Sequence, residues 1–170
     1  MFSTQLTGLM NRIQEKEEFS FEDGARLLTQ AAIGDGNIFI FGQGEMESII
    51  SEALYSMEPL PNAKRWDGKT TTITEADRVL IFSRFSHDEA AVQAGRWLYE
   101  NRIPFVAVST DMAVEEDTLV NLADVHINLH LKKGLLPTED GNRIGYPASM
   151  AALFVYYGLK FTINEILEDY

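Results

Sequence analysis

The sequence predicts an α/β fold: a three-layer α/β/α sandwich around a five-stranded parallel sheet. The first observation is the stretch between Asp77 and Ser109, where two continuous apolar runs, residues 79–82 and 105–108, flank a run with helical spacing. Strands that are apolar on both faces are typical of parallel sheets covered by helices on each side. The second observation is that short apolar runs alternate with helical patterns along the rest of the chain. This alternation favours strand–helix–strand units with right-handed crossovers.

Length and composition indicate one globular domain. The 170 residues are 45% hydrophobic and 24% charged, which is an ordinary composition for a chain that buries a full core. The absence of cysteine excludes disulfides, thiolate metal sites and cysteine nucleophiles. The start lacks a basic region, and the longest apolar stretch, residues 148–159, is interrupted and too short to span a bilayer. We therefore expect a cytoplasmic protein without a signal peptide or membrane span.

The formal net charge of −12 at pH 7 argues against nucleic acid as a partner. Such a surface repels a polyanionic backbone, and no basic stripe with interleaved aromatic residues offsets the repulsion. Acidity also serves solubility by itself, so the charge points to no particular partner.

Two helices are expected before the first strand, and they form an N-terminal part of the domain, residues 1–35. The first carries its apolar positions on one face, and the second begins near a cap formed by Ser20 and Asp23. These helices either cover the sheet or form a dimerisation hairpin, and the sequence alone does not separate the two roles. The α/β core then occupies residues 36–170, with strands expected at residues 37–41, 63–66, 79–82, 105–108 and 125–129.

The helix after the third strand is expected to begin with a capping box, because Ser86 and Glu89 have the spacing of that motif. Residues 132–146 form a long segment with several glycines, which indicates either a binding loop or disorder. The terminal helix that follows Pro147 is apolar on nearly every face, and a second cap at Thr162 would open a separate last turn. Such a helix is buried in the core or at a subunit interface, so we expect a homodimer or a higher homo-oligomer.

The expected strand order is 2-1-3-4-5, which brings the ends of strands one and three together at a topological switch point. Ligands of such sheets bind beyond the carboxyl ends of the strands. Strand one ends in a glycine turn, where positive φ and close approach of a ligand to backbone amides are expected. The candidate ligand-binding residues are those that follow the two strands: Gly42, Gln43, Gly44, Glu45, Ser83, Arg84, Ser86, His87 and Asp88.

These two turns carry a resemblance to a known family. The stretches Gly42-Gln-Gly-Glu-Met46 and Ser83-Arg-Phe-Ser-His-Asp88 resemble the Gly-x-Gly-x-Ser turn and the Ser-x-Ser-Gly-x-Thr phosphate loop of sugar isomerase (SIS) domains. The order of elements is similar over nearly the whole chain, which looks most like a bacterial branch of that superfamily related to phosphoheptose isomerases. The resemblance implies an SIS-like, flavodoxin-like fold, a sugar-phosphate ligand and self-association.

Several positions depart from the family pattern. Met46 stands at the serine of the first turn, Phe85 and Asp88 stand at a serine and the threonine of the phosphate loop, and Ser86 replaces its glycine. Three hydroxyls are thus absent, and the carboxylates of Glu45, Asp88 and Glu89 would repel a bound dianion. The favoured function is a phosphosugar-binding protein with degenerate phosphate loops, for which the resemblance implies a phosphoheptose isomerase-like activity. The alternative is a non-catalytic regulatory or assembly module that senses another small metabolite.

Isomerisation requires an acid and a base at the sugar carbonyl and the neighbouring carbon. Glu45 and His87 are the catalytic candidates at the switch point. Related isomerases often take a histidine from the terminal helix, but residues 148–170 contain none, so the resemblance leaves the catalytic residues unassigned. His126 and His130 fall on one face of a strand, and we interpret them as packed or solvent-facing rather than as metal ligands. No metal or other cofactor is expected.

Overall fold

The computed structural model describes residues 1–69 and 72–170 and shows a five-stranded parallel sheet between two layers of helices. The strands lie in the order β2-β1-β3-β4-β5, and each neighbouring pair is parallel. The predicted fold class and strand order are thereby confirmed. The strands are β1 (Ile38–Gly42), β2 (Ala63–Arg65), β3 (Arg78–Phe85), β4 (Phe105–Thr110) and β5 (Val125–Asn128).

Alternation of apolar side chains along the strands explains the two helical layers. In β1, Ile38 and Ile40 belong to one core while Phe39 and Phe41 belong to the other, because successive side chains of a strand point to opposite faces. The two N-terminal helices cover the first face, which is one of the two roles that the sequence leaves open. The first face packs against α1 (Phe2–Lys16), α2 (Glu18–Ile33), α3 (Glu47–Tyr55) and α6 (Ala148–Glu168), and the second against α4 (Glu89–Glu100) and α5 (Leu119–Leu122).

Strands β3 and β4 run further than the apolar runs that predict them. The last residue of β3, Phe85, pairs with Thr110 at the end of β4, after a shift in register beyond Phe82. The amide of Ser86 then donates to the carbonyl of Thr110 at 2.9 Å. Backbone pairing therefore continues beyond the two continuous apolar runs, and the sheet reaches into the turn that carries the candidate residues.

The predicted capping box at Ser86 and Glu89 is wrong. Asp88 occupies the N-cap position of α4, and the helix begins at Glu89. Ser86 is fully buried, and its hydroxyl accepts from the amide of Met112 at 3.0 Å. Because Ser86 is bound into the end of the β3–β4 pair, its side chain is not available to the helix.

The segment between β5 and α6 has structure of its own, an antiparallel hairpin of β6 (Leu136–Pro137) and β7 (Arg143–Ile144). Helix α6 follows Pro147 directly and runs without a break. The predicted second cap at Thr162 is therefore wrong, since its hydroxyl donates to the carbonyl of Gly158 inside the helix at 2.9 Å. None of the helices in the described part of the chain combines the length and the apolar character that a membrane crossing needs.

Candidate functional site

The carboxyl ends of β1 and β3 border a cavity of about 280 Å³ at the switch point of the sheet. Phe41, Phe82 and two alanines at the start of α4 form its apolar wall. Gly44 adds backbone with a φ of 60°, a conformation that favours glycine. A cavity of this size and mixed lining suits a small polar molecule. We call it the switch-point cavity; its polar side chains are Gln43, Glu45, Ser83, Arg84, Asp88 and Glu89.

Asp88 binds the turn after β3 with its own carboxylate. Its Oδ2 accepts from the Ser83 hydroxyl at 2.7 Å and from the Phe85 amide at 3.0 Å. Ser83 is only 5% exposed, so its hydroxyl donates inside the protein. A hydroxyl and a backbone amide are also the donors that an incoming anion would use. The Asp88 carboxylate therefore takes the place of an anion at this turn.

Glu45 and Arg84, which both line the switch-point cavity, form a two-point ion pair. The Nε of Arg84 donates to Oε1 of Glu45 at 2.6 Å, and its Nη2 donates to Oε2 at 2.8 Å. The hydrogen bonds from Arg84 lower the pKa of Glu45 below its ordinary value, and the same bonds raise the pKa of Arg84. Glu45 is thus an ionised carboxylate and a weak base at neutral pH.

Six of the nine predicted residues line the switch-point cavity, and Gly42, Ser86 and His87 do not. Gly42 packs under the turn, where an added Cβ would lie 2.9 Å from the carbonyl oxygen of Met46. Ser86 is fully buried. His87 is exposed, stacks on the ring of Phe85 with centroids 5.9 Å apart, and lines a separate groove along α4. Asp88 is therefore the first residue after β3 that lines the switch-point cavity.

A groove beside the switch-point cavity is lined by Tyr146 and Ser149 together with Glu45, Arg84 and Phe85. The ring of Tyr146 meets the ring of Phe85 edge-on, with centroids 6.3 Å apart. Sequence patterns do not point to Tyr146 or Ser149, because they follow the sheet strands in the chain and carry no motif. The glycine-rich loop before α6 is the one signal in that region, and it indicates a binding loop without naming its residues.

His126 and His130 lie in different surroundings rather than at one site. The Nε2 of His126 is hydrogen-bonded to the Ser109 hydroxyl at 2.8 Å, and burial lowers its pKa to about 4. His130 follows β5 with a φ of 53° and pairs with Glu17 at 2.7 Å. Across residues 1–69 and 72–170, no three His, Asp or Glu side chains are grouped so that they could hold a metal ion.

Comparison with known proteins gives a family and a relative that match over nearly the whole chain. A family model described as a domain of unknown function, DUF2529, matches residues 1–167. The Bacillus subtilis (strain 168) protein described as "Uncharacterized protein YwjG" is 42% identical over 170 residues, and the match covers 100% of this chain and 98% of that protein.

Solved structures of SIS domains share the fold of this chain. Phosphoheptose isomerase GmhA from Neisseria gonorrhoeae gives a TM-score of 0.65 at 12% identity, covering 95% of this chain and 94% of that one. The sugar isomerase domain of an RpiR transcription factor from Sphaerobacter thermophilus gives 0.63 at 14%, covering 95% and 86%. NanR from Vibrio vulnificus, solved with ManNAc-6P, gives 0.63 at 15%, covering 99% of this chain and 61% of NanR. These likenesses confirm the SIS fold.

Proposed function

This chain belongs to the DUF2529 family, and from its fold and its switch-point cavity we propose that it binds a sugar phosphate or a related sugar derivative without isomerising it. The observation that carries the proposal is that the charged side chains of the cavity already have partners within the chain. The cavity therefore presents a shaped polar surface for binding but no free acid–base pair for reaction. The partnered side chains are Glu45 with Arg84, Asp88 with Ser83, and Glu89 with Gln93.

The ligand class is supported by the position and the lining of the switch-point cavity. Ligands of doubly wound sheets bind at the switch point, and this fold is shared with NanR in its complex with ManNAc-6P and with phosphoheptose isomerase. Donors and acceptors such as Gln43 and Ser83 lie beside the rings of Phe41 and Phe82, a combination that suits the hydroxyls and the carbon face of a sugar. In this proposal the two loops are degenerate forms of the family's phosphate-binding turns.

A phosphoheptose isomerase-like reaction is the alternative that the fold suggests, and the chemistry of the site disfavours it. Arg84 weakens Glu45 as a base by lowering its pKa. His87 lies outside the cavity, and α6 contains no histidine. We expect no exchange of the proton next to the carbonyl when the protein is incubated with a heptose phosphate in deuterated water and followed by NMR. Exchange that disappears in Glu45→Gln would establish catalysis.

Asp88 favours a second candidate ligand, a sugar-like metabolite without a phosphate group. A phosphate could use the Ser83 hydroxyl and the Phe85 amide only if Asp88 gave up both hydrogen bonds and tolerated a dianion beside it. A neutral sugar avoids this repulsion, because its hydroxyls can donate to Oδ1 of Asp88, which has no hydrogen bond among the described residues. A sugar phosphate therefore requires Asp88 to release the Ser83 hydroxyl and the Phe85 amide, whereas a neutral sugar does not.

Calorimetric titration with matched pairs, such as a hexose and its 6-phosphate, tests both candidates. Ser83→Ala is expected to weaken a bound sugar phosphate roughly ten- to hundredfold, since a hydrogen bond to a charged ligand contributes about 1.5–3 kcal/mol. Ser109→Ala, another buried serine but outside the cavity, is the matched control. Asp88→Thr should strengthen sugar-phosphate binding and weaken binding of a neutral sugar. Unchanged affinities in both cavity variants would place the site elsewhere.

We also propose that the chain forms a homodimer through α6 and the end of α3. Tyr55, Met57, Met150 and Phe161 are large apolar side chains that are exposed on these two helices and the residues after α3. Exposed apolar surface of this kind is typical of subunit interfaces. Light scattering should show a dimer, and Phe161→Glu should shift it toward monomer; a monomer at every concentration of the wild type would contradict the proposal.

The proposed location is the cytoplasm, which cell fractionation tests.

A further inference from the structure

A second cavity, of about 350 Å³, lies between α1 and the segment that follows β5. Of the 14 lysine and arginine residues in the chain, four line it: Arg12, Lys132, Lys133 and Arg143. The protein as a whole carries a formal charge of −12, so this concentration of positive charge is opposite in sign to its average surface. We call this site, defined by the four cations, the basic cavity.

The four cations lack acidic partners of their own. In the part of the chain that the structure describes, none of them forms an ion pair. His130 also lines the basic cavity, and the carboxylate beside it, Glu17, is paired with that histidine at 2.7 Å. Like charges gathered at one site repel one another, and this repulsion is relieved when an anion binds among them. The basic cavity therefore carries a net positive charge that a bound anion would neutralise.

The floor of the basic cavity is held in place by hydrogen bonds. The Nε of Arg143 donates to the carbonyl of Gly134 at 2.6 Å, and its Nη2 donates to the carbonyl of Leu135 at 3.1 Å. The amide of Leu131 donates to the Thr110 hydroxyl at 3.1 Å. Arg143 uses two of the five N–H groups of a guanidinium in these bonds, so three are left for another acceptor. A floor that is already ordered reduces the entropy lost on binding.

We propose that the basic cavity binds a small phosphate-bearing anion. Guanidinium groups match the oxygens of a phosphate in pairs, and lysines add charge without demanding a particular geometry. The volume leaves room for an organic part besides the phosphate. A nucleic acid fits less well, because the charged patch is small and the protein around it is acidic. This site is separate from the switch-point cavity, and the proposal does not rest on the function proposed there.

Titration with pyrophosphate by calorimetry tests the proposal. We expect the wild type to bind pyrophosphate and to lose affinity as salt is added, because the attraction is screened. Arg12→Gln should weaken binding about tenfold or more, and Lys132→Gln/Lys133→Gln should weaken it further, since each lost contact removes a charged hydrogen bond. The control Lys64→Gln/Lys69→Gln removes the same charge from exposed positions near β2, at the opposite edge of the sheet, and should leave affinity within about twofold.

Three results would overturn the proposal. The first is no binding of pyrophosphate by the wild type at millimolar concentration and low salt. The second is weakening by Ser83→Ala but not by the basic-cavity variants, which would move the anion to the switch-point cavity. The third is a change of oligomeric state in Lys132→Gln/Lys133→Gln with pyrophosphate affinity unchanged. That last result would make the anion a carboxylate of a second copy of this acidic chain.

Discussion

The two cavities beyond the carboxyl ends of the strands arrange their charges in opposite ways. In the switch-point cavity, Glu45 is bound to Arg84 and the carboxylate of Asp88 is bound to the Ser83 hydroxyl. In the basic cavity, the four cations form no ion pair among the described residues. The charged side chains of the first site are therefore hydrogen-bonded within the chain, whereas the cations of the second have no acidic partner among the described residues.

This difference separates hydrogen-bonded charges, which are expected to stabilise the fold, from the cations that we propose bind an anion. A hydrogen-bonded charge contributes to folding stability, because removing it leaves its partners unsatisfied. A lysine without an acidic partner among other cations adds no ion-pair energy to folding and can oppose folding through repulsion, whereas Arg143 still contributes through its hydrogen bonds to two carbonyls. Variants of the two cavities are consequently expected to differ in their free energies of unfolding as well as in their ligand affinities.

The largest effect on stability is expected from Asp88→Ala. This substitution leaves the Phe85 amide without its acceptor and leaves the nearly buried Ser83 hydroxyl only its longer bond to the Phe85 carbonyl, at 3.1 Å, which should lower the free energy of unfolding by about 2–3 kcal/mol. Urea unfolding measures the change. Glu89→Ala is the matched control, because Glu89 lines the same cavity but is exposed and, among the described residues, accepts only from Gln93, at 3.2 Å. Equal losses in the two variants would contradict the role given to Asp88.

A comparable loss of stability is expected when the pH is lowered, because of His126 in β5, the strand before the basic cavity. Burial, with a smaller contribution from the neighbouring His130, lowers the pKa of His126 from 6.5 to about 4. As the pH falls, the His126 side chain is protonated in the unfolded chain before it is protonated in the folded protein. Its contribution to stability is therefore fully present above pH 6.5 and is lost as the pH drops toward 4. The loss should reach about 2–3 kcal/mol by pH 4 and should be reduced in His126→Gln. An unchanged pH profile in His126→Gln would show that another group is responsible.

A smaller effect is expected from Arg84→Gln, which removes the ion pair of the switch-point cavity. Both side chains are partly exposed, so solvent screening limits the loss of stability to about 0.5 kcal/mol. Because Arg84 lowers the pKa of Glu45 below 4.5, the stability from this pair is present above pH 4.5 and is lost as the pH falls through the lowered value. NMR titration should show the Glu45 pKa rising in the variant. A Glu45 pKa that does not move would mean that the pair does not form in solution.

The smallest effect, and one of opposite sign, is expected from Lys132→Gln/Lys133→Gln without ligand. Removing two unpaired cations relieves repulsion, so stability at low salt should rise by up to about 0.5 kcal/mol. The gain should disappear in high salt, where the repulsion is already screened. A loss comparable with that of Asp88→Ala would show that the lysines stabilise the fold and would remove the contrast between the two cavities.

The sequence by itself determines the sheet and predicts the region of the candidate site. Runs such as residues 79–82 are apolar at every position, so both faces must be covered, and alternation in β1 assigns Ile38 and Phe39 to different cores. The turns after β1 and β3 follow from the strand order, because parallel strands end at one edge. Local patterns of this kind are reliable, since they depend on neighbours within a few residues.

Only the tertiary structure decides which partner each polar side chain takes. Ser86 and Asp88 both have residue types that cap helices, yet the sheet binds Ser86 and leaves Asp88 to bind Ser83. Arg12 and Lys132 are distant in the chain and carry no motif, but the packing of α1 beside the segment after β5 brings them to one cavity. The physical reason is that charge pairing depends on distances across the fold, which the local periodicity of a sequence does not specify.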